Sequence, residues 1–274
     1  MTGIPRRALA CLLLVGLVGA VDACAARMRA DAAIPLRVLS YNIRHGRGMD
    51  DSVNIPRTAA VIRALRPDVV GLQEVDDRVA RSGGVAQAEA LGAQLGLQHA
   101  FGAFMDYQGG RYGMGILSRF PIVRATPVRL PDGNEPRIAL AAELHLPGDR
   151  TVMVVNVHFD WVADDAFRFA QASALTRFLD SLSVPYILLG DFNDEPGSRT
   201  LALFRQRAVE AAKEAGDRLT FSSTNPVKEI DFIFAAPSNA WSVGSARPVT
   251  EPMASDHRPV ITTLALRPIA TARP

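Results

Sequence analysis

Apolar positions along the chain fall into short runs of strand-like or helical spacing, and many of these runs stop abruptly at polar residues. Residues 35–43 (PLRVLSYNI) alternate apolar and polar positions and are rich in β-formers, which predicts a strand ending at Asn42. Residues 54–67 place Ile55, Ala59, Ile62 and Leu65 at helical spacing, and Pro67 helps stop the helix. Residues 68–75 (DVVGLQEV) read as a buried strand whose end turns polar at Gln73 and Glu74. A second helix is predicted over 85–96, then strands within 112–130 and over 137–146 and 150–160, with short turns such as 147–149. Residues 164–182 form a helical pattern with a long apolar face, and 185–193, 229–234 and 258–266 read as further strands. Several strand pairs are close enough in sequence to be antiparallel. The pattern therefore argues for an α/β fold with mixed sheets rather than a purely doubly wound one.

The ends of the chain read differently. Arg6 and Arg7 precede an apolar run from Ala8 to Val21, and small residues follow. This is the layout of an export signal over residues 1–24, and its 14-residue apolar run is short for a membrane span. The exit permits two readings. Val21-Asp22-Ala23-Cys24 resembles a lipobox with a lipid anchor at Cys24, although Asp22 is unusual there; Ala23-Cys24-Ala25 suits ordinary cleavage. Both readings place the protein outside the cytoplasm: periplasmic, outer-membrane-anchored or extracellular. Residues 25–34 are expected to be a short linker, 35–267 a single domain, and 268–274 a disordered tail. The two cysteines, Cys11 and Cys24, both lie in the leader, so the domain has no internal disulfide and no thiolate metal site. Net charge is +2, of which Arg6, Arg7 and Asp22 supply +1, leaving a nearly neutral domain. Proteins that hold nucleic acid through many phosphate contacts usually carry a basic field, so nucleic acid is a disfavoured partner.

Candidate chemistry sits at the strand ends. Asn42, Glu74, His158, Asp191, Asn193, Asp231, Asp256 and His257 lie at or just beyond such ends, or within an apolar strand. A rigid scaffold presents polar groups to a cleft from these places. Each has an ordinary structural explanation by itself: Asp191 a turn residue, His158 a satisfied core histidine, Asp231 a hydrogen-bonded buried acid. Together they supply hard oxygen ligands, imidazoles and amides, the set that metal-assisted phosphoryl chemistry uses.

The motifs SYNIRHG (40–46), LQEVD (72–76), YGMGILSRFPI (112–122), NVHFD (156–160), GDFND (190–194), IDFIF (230–234) and SDHRPV (255–260) resemble those of the endonuclease/exonuclease/phosphatase, or DNase I-like, superfamily. They stand in family order over about 220 residues. The resemblance implies a four-layered α/β sandwich with two packed mixed β-sheets and helices outside. It also implies a site: Asn42 and Glu74 at a divalent metal, Mg²⁺ or Mn²⁺, with Asp256 as a further or alternate ligand. His257 is the implied base that activates water, with Asp231 behind it. His158, Asp191 and Asn193 would bind the phosphate and orient the water. Arg44, Arg137 and Tyr112 are candidate substrate contacts. Met114 stands where many members have asparagine, which bears on substrate grip.

The family acts on very different phosphoesters, so the fold does not choose among them. With export, near-neutral charge, short loops and no evident exposed aromatic cluster, the expectation is a monomeric metal-dependent phosphodiesterase or phosphatase acting on a small or surface phosphoester. Lipid head groups and glycan substituents are the first candidates. A secreted nuclease, or a catalytically silent binding module on the same fold, are the alternatives.

Overall fold

The computed structural model describes residues 32–268. The export signal, the Cys24 anchor and nearly all of the tail lie outside the described residues. In chain order the main elements are β1 (Ile34–Asn42), α1 (Ile55–Leu65), β2 (Val69–Asp77), α2 (Gln87–Leu95), β3 (Gln98–Tyr107), β4 (Gly110–Ser118), β5 (Ile122–Arg129), β6 (Ile138–Leu146), β7 (Arg150–His158), α3 (Ala166–Asp180), β8 (Tyr186–Asp191), α4 (Arg199–Arg205), β9 (Val209–Glu210), β10 (Asp231–Ala236), β11 (Trp241–Val243), β12 (Arg247–Pro248) and β13 (Val260–Leu266). One sheet runs β11-β13-β1-β2-β4-β3, with β12 also on β13; the other runs β5-β6-β7-β8-β10-β9. Each sheet holds one parallel pair, β1 with β2 and β7 with β8, among antiparallel neighbours. The mixed two-sheet sandwich is the expected fold.

Side-chain alternation explains the layers. Along β1, Leu36 and Val38 enter the core between the sheets, while Leu39 and Tyr41 face outward onto α1 and α2. Along β8, Ile187 and Leu189 enter the inter-sheet core while Tyr186 and Leu188 join an outer cluster with α3 and α4. Strand β10 does the same, with Ile233 and Ala235 inward and Phe232 and Phe234 outward. The sheets are pinned at their polar end by Asn156 of β7. Its amide nitrogen donates to the carbonyls of Leu72 (2.8 Å) and Gly115 (2.9 Å) in the opposite sheet, and its oxygen accepts from Gln73 (2.6 Å). Gly71 permits the approach: a Cβ there would sit 1.9 Å from Leu189 Cδ1.

The sequence pattern missed β3, α4 and the short strands β9, β11 and β12. Strand β3 (QHAFGAFMDY) carries a central glycine and charged or polar ends, and tertiary pairing with β4 overrides its weak pattern. Helix α4 has only seven residues, too few for periodicity to show. Among the described residues no helix is long and apolar enough to cross a membrane.

Candidate active site

The alternation that builds the core also builds the site. Asn42 shares parity with Leu36 and Val38, Asp191 with Ile187 and Leu189, Asp231 with Ile233, and His158 with Val152 and Val154. Each continues an inward-facing row past its last apolar residue. Pairing register aligns the ends: His158 lies opposite Asp191, and Asp191 opposite Asp231. The inter-sheet layer therefore grades from apolar packing to a buried polar cluster at one end.

Glu74 breaks this rule in an informative way. By parity it belongs on the outer face with Val70 and Leu72. The β2–β4 register shifts between Leu72 and Val75, and Glu74 takes φ 57°. This bulge returns Val75 to the outer cluster and turns Glu74 inward, where its Oε1 accepts from Asn42 Nδ2 at 3.0 Å. A left-handed backbone at a non-glycine residue is strained and tends to persist where function needs the side chain. Gly190 has a similar local reason. It adopts φ +147°, and a Cβ there would lie 2.0 Å from the carbonyl oxygen of Val157.

Asp191 is fully buried. Its Oδ2 accepts from Asn42 Nδ2 (3.1 Å) and lies 3.5 Å from His257 Nε2 and 3.6 Å from His158 Nε2. Its Oδ1 accepts from the backbone N–H of Asn193 at 2.9 Å. The residues after β8 thus form an Asx-type turn and a site wall at once. Asn193 uses one amide hydrogen on the carbonyl of Phe159 (3.0 Å), leaving the other. Burial pushes the Asp191 carboxyl up to about 7, against the opposing charge of His257.

His257 is oriented through Nδ1, which lies 3.1 Å from Asp231 Oδ2. Burial alone would favour neutral imidazole, but the Asp231 and Asp191 carboxylates overcome it and push His257 up to about 10. With no metal bound, the proton of this group rests on His257. The other histidine has the opposite environment. Arg137, 2% exposed, puts Nη1 3.4 Å from His158 Nδ1 and pairs with Glu135 at 3.0 Å. A guanidinium only donates, so His158 Nδ1 accepts and its Nε2–H points toward Asp191. Burial first, then the charges of Arg137 and His257, hold His158 well below the ordinary imidazole range. It is a neutral donor, not an imidazolium.

Three expected contacts have partners within the protein. Asn42 spends its carbonyl oxygen on the N–H of Arg44 (3.1 Å) and its NH₂ on Glu74 and Asp191, so in this orientation it bridges acids as a donor. Asp256 faces Arg44 Nε at 3.5 Å and Ser255 Oγ at 3.3 Å, which also occupies Arg44. Tyr112 packs edge-on against Phe104 at 4.8 Å under the Arg81 guanidinium at 4.7 Å, so it is a buried packing residue. Arg137 likewise reaches the site through His158. The sequence reading overlooked Trp161, a residue 58% exposed that lines one pocket with His257 and Asn193, and Phe221, whose ring centroid lies 4.9 Å from that of His257. The only hint of Trp161 was an aromatic residue directly after NVHFD.

The donors fit a divalent cation. Ligand atoms of Asp191, Asp231 and His257 lie within 4.8 Å of one another, all buried, and Asp231 Oδ1 has no hydrogen-bond partner. With half-buried Glu74 beside them, three carboxylates face one another around His257, a concentration of negative charge that a hard metal ion corrects. Cation-assisted hydrolysis of a phosphoric ester is the chemistry that such a sandwich and such a cluster serve.

Comparison with known proteins agrees. The chain belongs to the endonuclease/exonuclease/phosphatase family, whose model matches residues 39–257, and it is therefore a metal-dependent phosphoric ester hydrolase. It is similar to an uncharacterized protein, YbhP, of Escherichia coli strain K12, with 28% identity covering 82% of this chain and 94% of that one. Among solved structures it resembles an endonuclease/exonuclease/phosphatase of Beutenbergia cavernae, with TM-score 0.71, 26% identity, and 87% and 74% of the two chains covered. It also shares the fold of a mannosyl-6-phosphatase of Bacteroides thetaiotaomicron, with TM-score 0.69, 21% identity, and 84% and 99% covered.

Proposed function

We propose that the protein is an exported Mg²⁺- or Mn²⁺-dependent phosphodiesterase or phosphatase acting on a small, lipid-head-group or glycan-linked phosphoester. The observation that carries this reading is the convergence of Glu74, Asp191, Asp231, His158 and His257 on one inter-sheet cleft of a nearly neutral domain. Export rests on the sequence of residues 1–24 alone, with Cys24 as the residue to be lipidated if the protein is anchored.

Glu74 is the principal metal carboxylate in this proposal; Asp231 uses Oδ2 on His257, and its unpartnered Oδ1 would border the ion. Asn42, after turning its amide, and Asp256 would flank it. The bound ion would neutralise the acids and polarise the phosphoryl oxygens. The chain's own residues do the rest. His158 Nε2–H and the free amide hydrogen of Asn193 donate to non-bridging phosphate oxygens. Asp191 and His257, 3.5 Å apart, act as one proton-accepting unit for the attacking water, and Asp231 holds the imidazole in its tautomer.

The test is hydrolysis of a panel by the purified protein: bis-p-nitrophenyl phosphate, p-nitrophenyl phosphate, glycerophosphoryl compounds, sphingomyelin, mannose 6-phosphate and plasmid DNA, each with Mg²⁺ or Mn²⁺ and with EDTA. The reading expects chelator-sensitive turnover of non-nucleic esters with DNA spared. DNA cleavage that collapses as salt rises would replace it with a nuclease.

A further inference from the structure

Helix α3 buries two polar side chains that apolar packing does not explain. Gln171 is fully buried and Arg168 is 6% exposed. A guanidinium is costly to bury unless acceptors match its donors, so its partners show what it holds. Nη1 of Arg168 donates to the backbone carbonyls of Asp160 (3.3 Å) and Val162, and its Nε faces Asp194 Oδ2 at 3.5 Å. These partners belong to two loops: one follows His158 at the end of β7, the other follows Asp191 at the end of β8. Gln171 fixes the first loop from the same helix. Its Oε1 accepts from the N–H of Asp160 (3.0 Å), and its Nε2 donates to the carbonyl of Pro131 (3.3 Å). The Asp160 carboxylate then accepts from the N–H groups of Val162 (3.1 Å) and Asn134 (2.6 Å).

Asn193 lies between the points that Arg168 grips. It takes φ 49°, a left-handed conformation that its surroundings must enforce. Its side-chain amide is aimed by the carbonyl of Phe159, the residue before Asp160, and its backbone by the turn that leads into Asp194. We propose that Arg168 is a positioning residue for the reaction. By locking the 159–162 loop to the 191–194 turn, it aims the remaining amide hydrogen of Asn193 at the phosphate. The inference rests on the reading above in which that hydrogen donates to a non-bridging oxygen. The guanidinium is needed for its shape as well as its charge. A lysine keeps the positive charge beside Asp194, but it lacks the planar fork that spans the two carbonyls and the carboxylate together.

A double-mutant cycle separates this role from a merely structural one. Arg168→Lys, Asn193→Ala and the double variant are assayed on bis-p-nitrophenyl phosphate with Mg²⁺, with urea unfolding as the check on folding. Arg168→Lys should lower kcat about 10- to 100-fold, the cost of a misplaced group, and leave KM within about threefold. In the Asn193→Ala background the same change should cost less than about twofold, because the group it aims is already gone. Asp194→Asn should show the same dependence on Asn193, and it carries the test if Arg168→Lys does not fold. Calorimetric titration with inorganic phosphate in Mg²⁺ gives a second cycle that needs no turnover. Wild-type kcat in Arg168→Lys, or its full loss repeated in the Asn193→Ala background, would overturn the proposal and leave the hydrolase reading intact. Wild-type kcat in Asn193→Ala would overturn the proposal together with the phosphate contact assigned to Asn193. Coupled losses in phosphate affinity without turnover of any ester would keep the positioning role and defeat the hydrolase reading.

Discussion

Replacing Asp231 by asparagine is the most informative single change. The side chain keeps its size and an acceptor oxygen 3.1 Å from His257 Nδ1, so the ring stays in place while one negative charge goes. At that distance, with an effective dielectric constant of about 20, the lost attraction for imidazolium is ~5 kcal/mol before the site readjusts. His257, held up at about 10 in the metal-free protein, must then titrate at lower pH. The predicted loss in kcat is about 10²- to 10⁴-fold, the range that a positioned acid–base group contributes. A stability signature accompanies it. Because the folded-state value of His257 is raised, its stabilising contribution is complete below the ordinary imidazole value of about 6.5. It is lost as pH rises through about 10. Urea unfolding in EDTA should therefore show wild-type stability falling across that window, and a flatter profile in Asp231→Asn. Wild-type kcat with an unchanged pH–rate profile would refute the reasoning. A raised metal requirement with an unchanged pH profile would make Asp231 a metal ligand instead.

The other residues give separate readouts. Glu74→Gln should raise the Mg²⁺ or Mn²⁺ concentration for half-maximal activity at least about tenfold, as losing a charged ligand weakens a hard-cation site; an unchanged metal titration would remove Glu74 from the metal. Asn156→Leu should cost about 3 kcal/mol in urea unfolding, because the Leu72 and Gly115 carbonyls lose their donor; a cost under about 1 kcal/mol would show that the sheets do not depend on this bridge. Gly71→Ala should cost about 1–3 kcal/mol by overpacking against Leu189, and wild-type unfolding would show that the sheets separate freely there.

The layers and most of the site were legible because both follow from alternation. Once β1, β7, β8 and β10 are located, parity sends Asn42, His158, Asp191 and Asp231 to the same face as their apolar neighbours. What brings the two sheets' ends together is the packing of one sheet on the other, and only the family motifs hinted at it. Glu74 shows where local reading stops: parity places it outside, and a bulge that no propensity announces brings it in. Arg137 and Tyr112 were candidate substrate contacts because charge and aromaticity suggest contact. Burial against His158, Phe104 and Arg81 turns them into supports. Trp161 escaped notice because exposure is not written in a sequence that buries most large apolar residues.

The central claim is that this cleft hydrolyses phosphoesters with a bound divalent ion. Its most direct test is a metal add-back assay on bis-p-nitrophenyl phosphate and mannose 6-phosphate, comparing chelator-stripped wild type with Asp191→Ala. The account predicts no turnover when stripped, recovery on adding Mg²⁺ or Mn²⁺, and no recovery in Asp191→Ala despite normal folding. Turnover that persists in EDTA, or that survives the loss of Asp191, would contradict it.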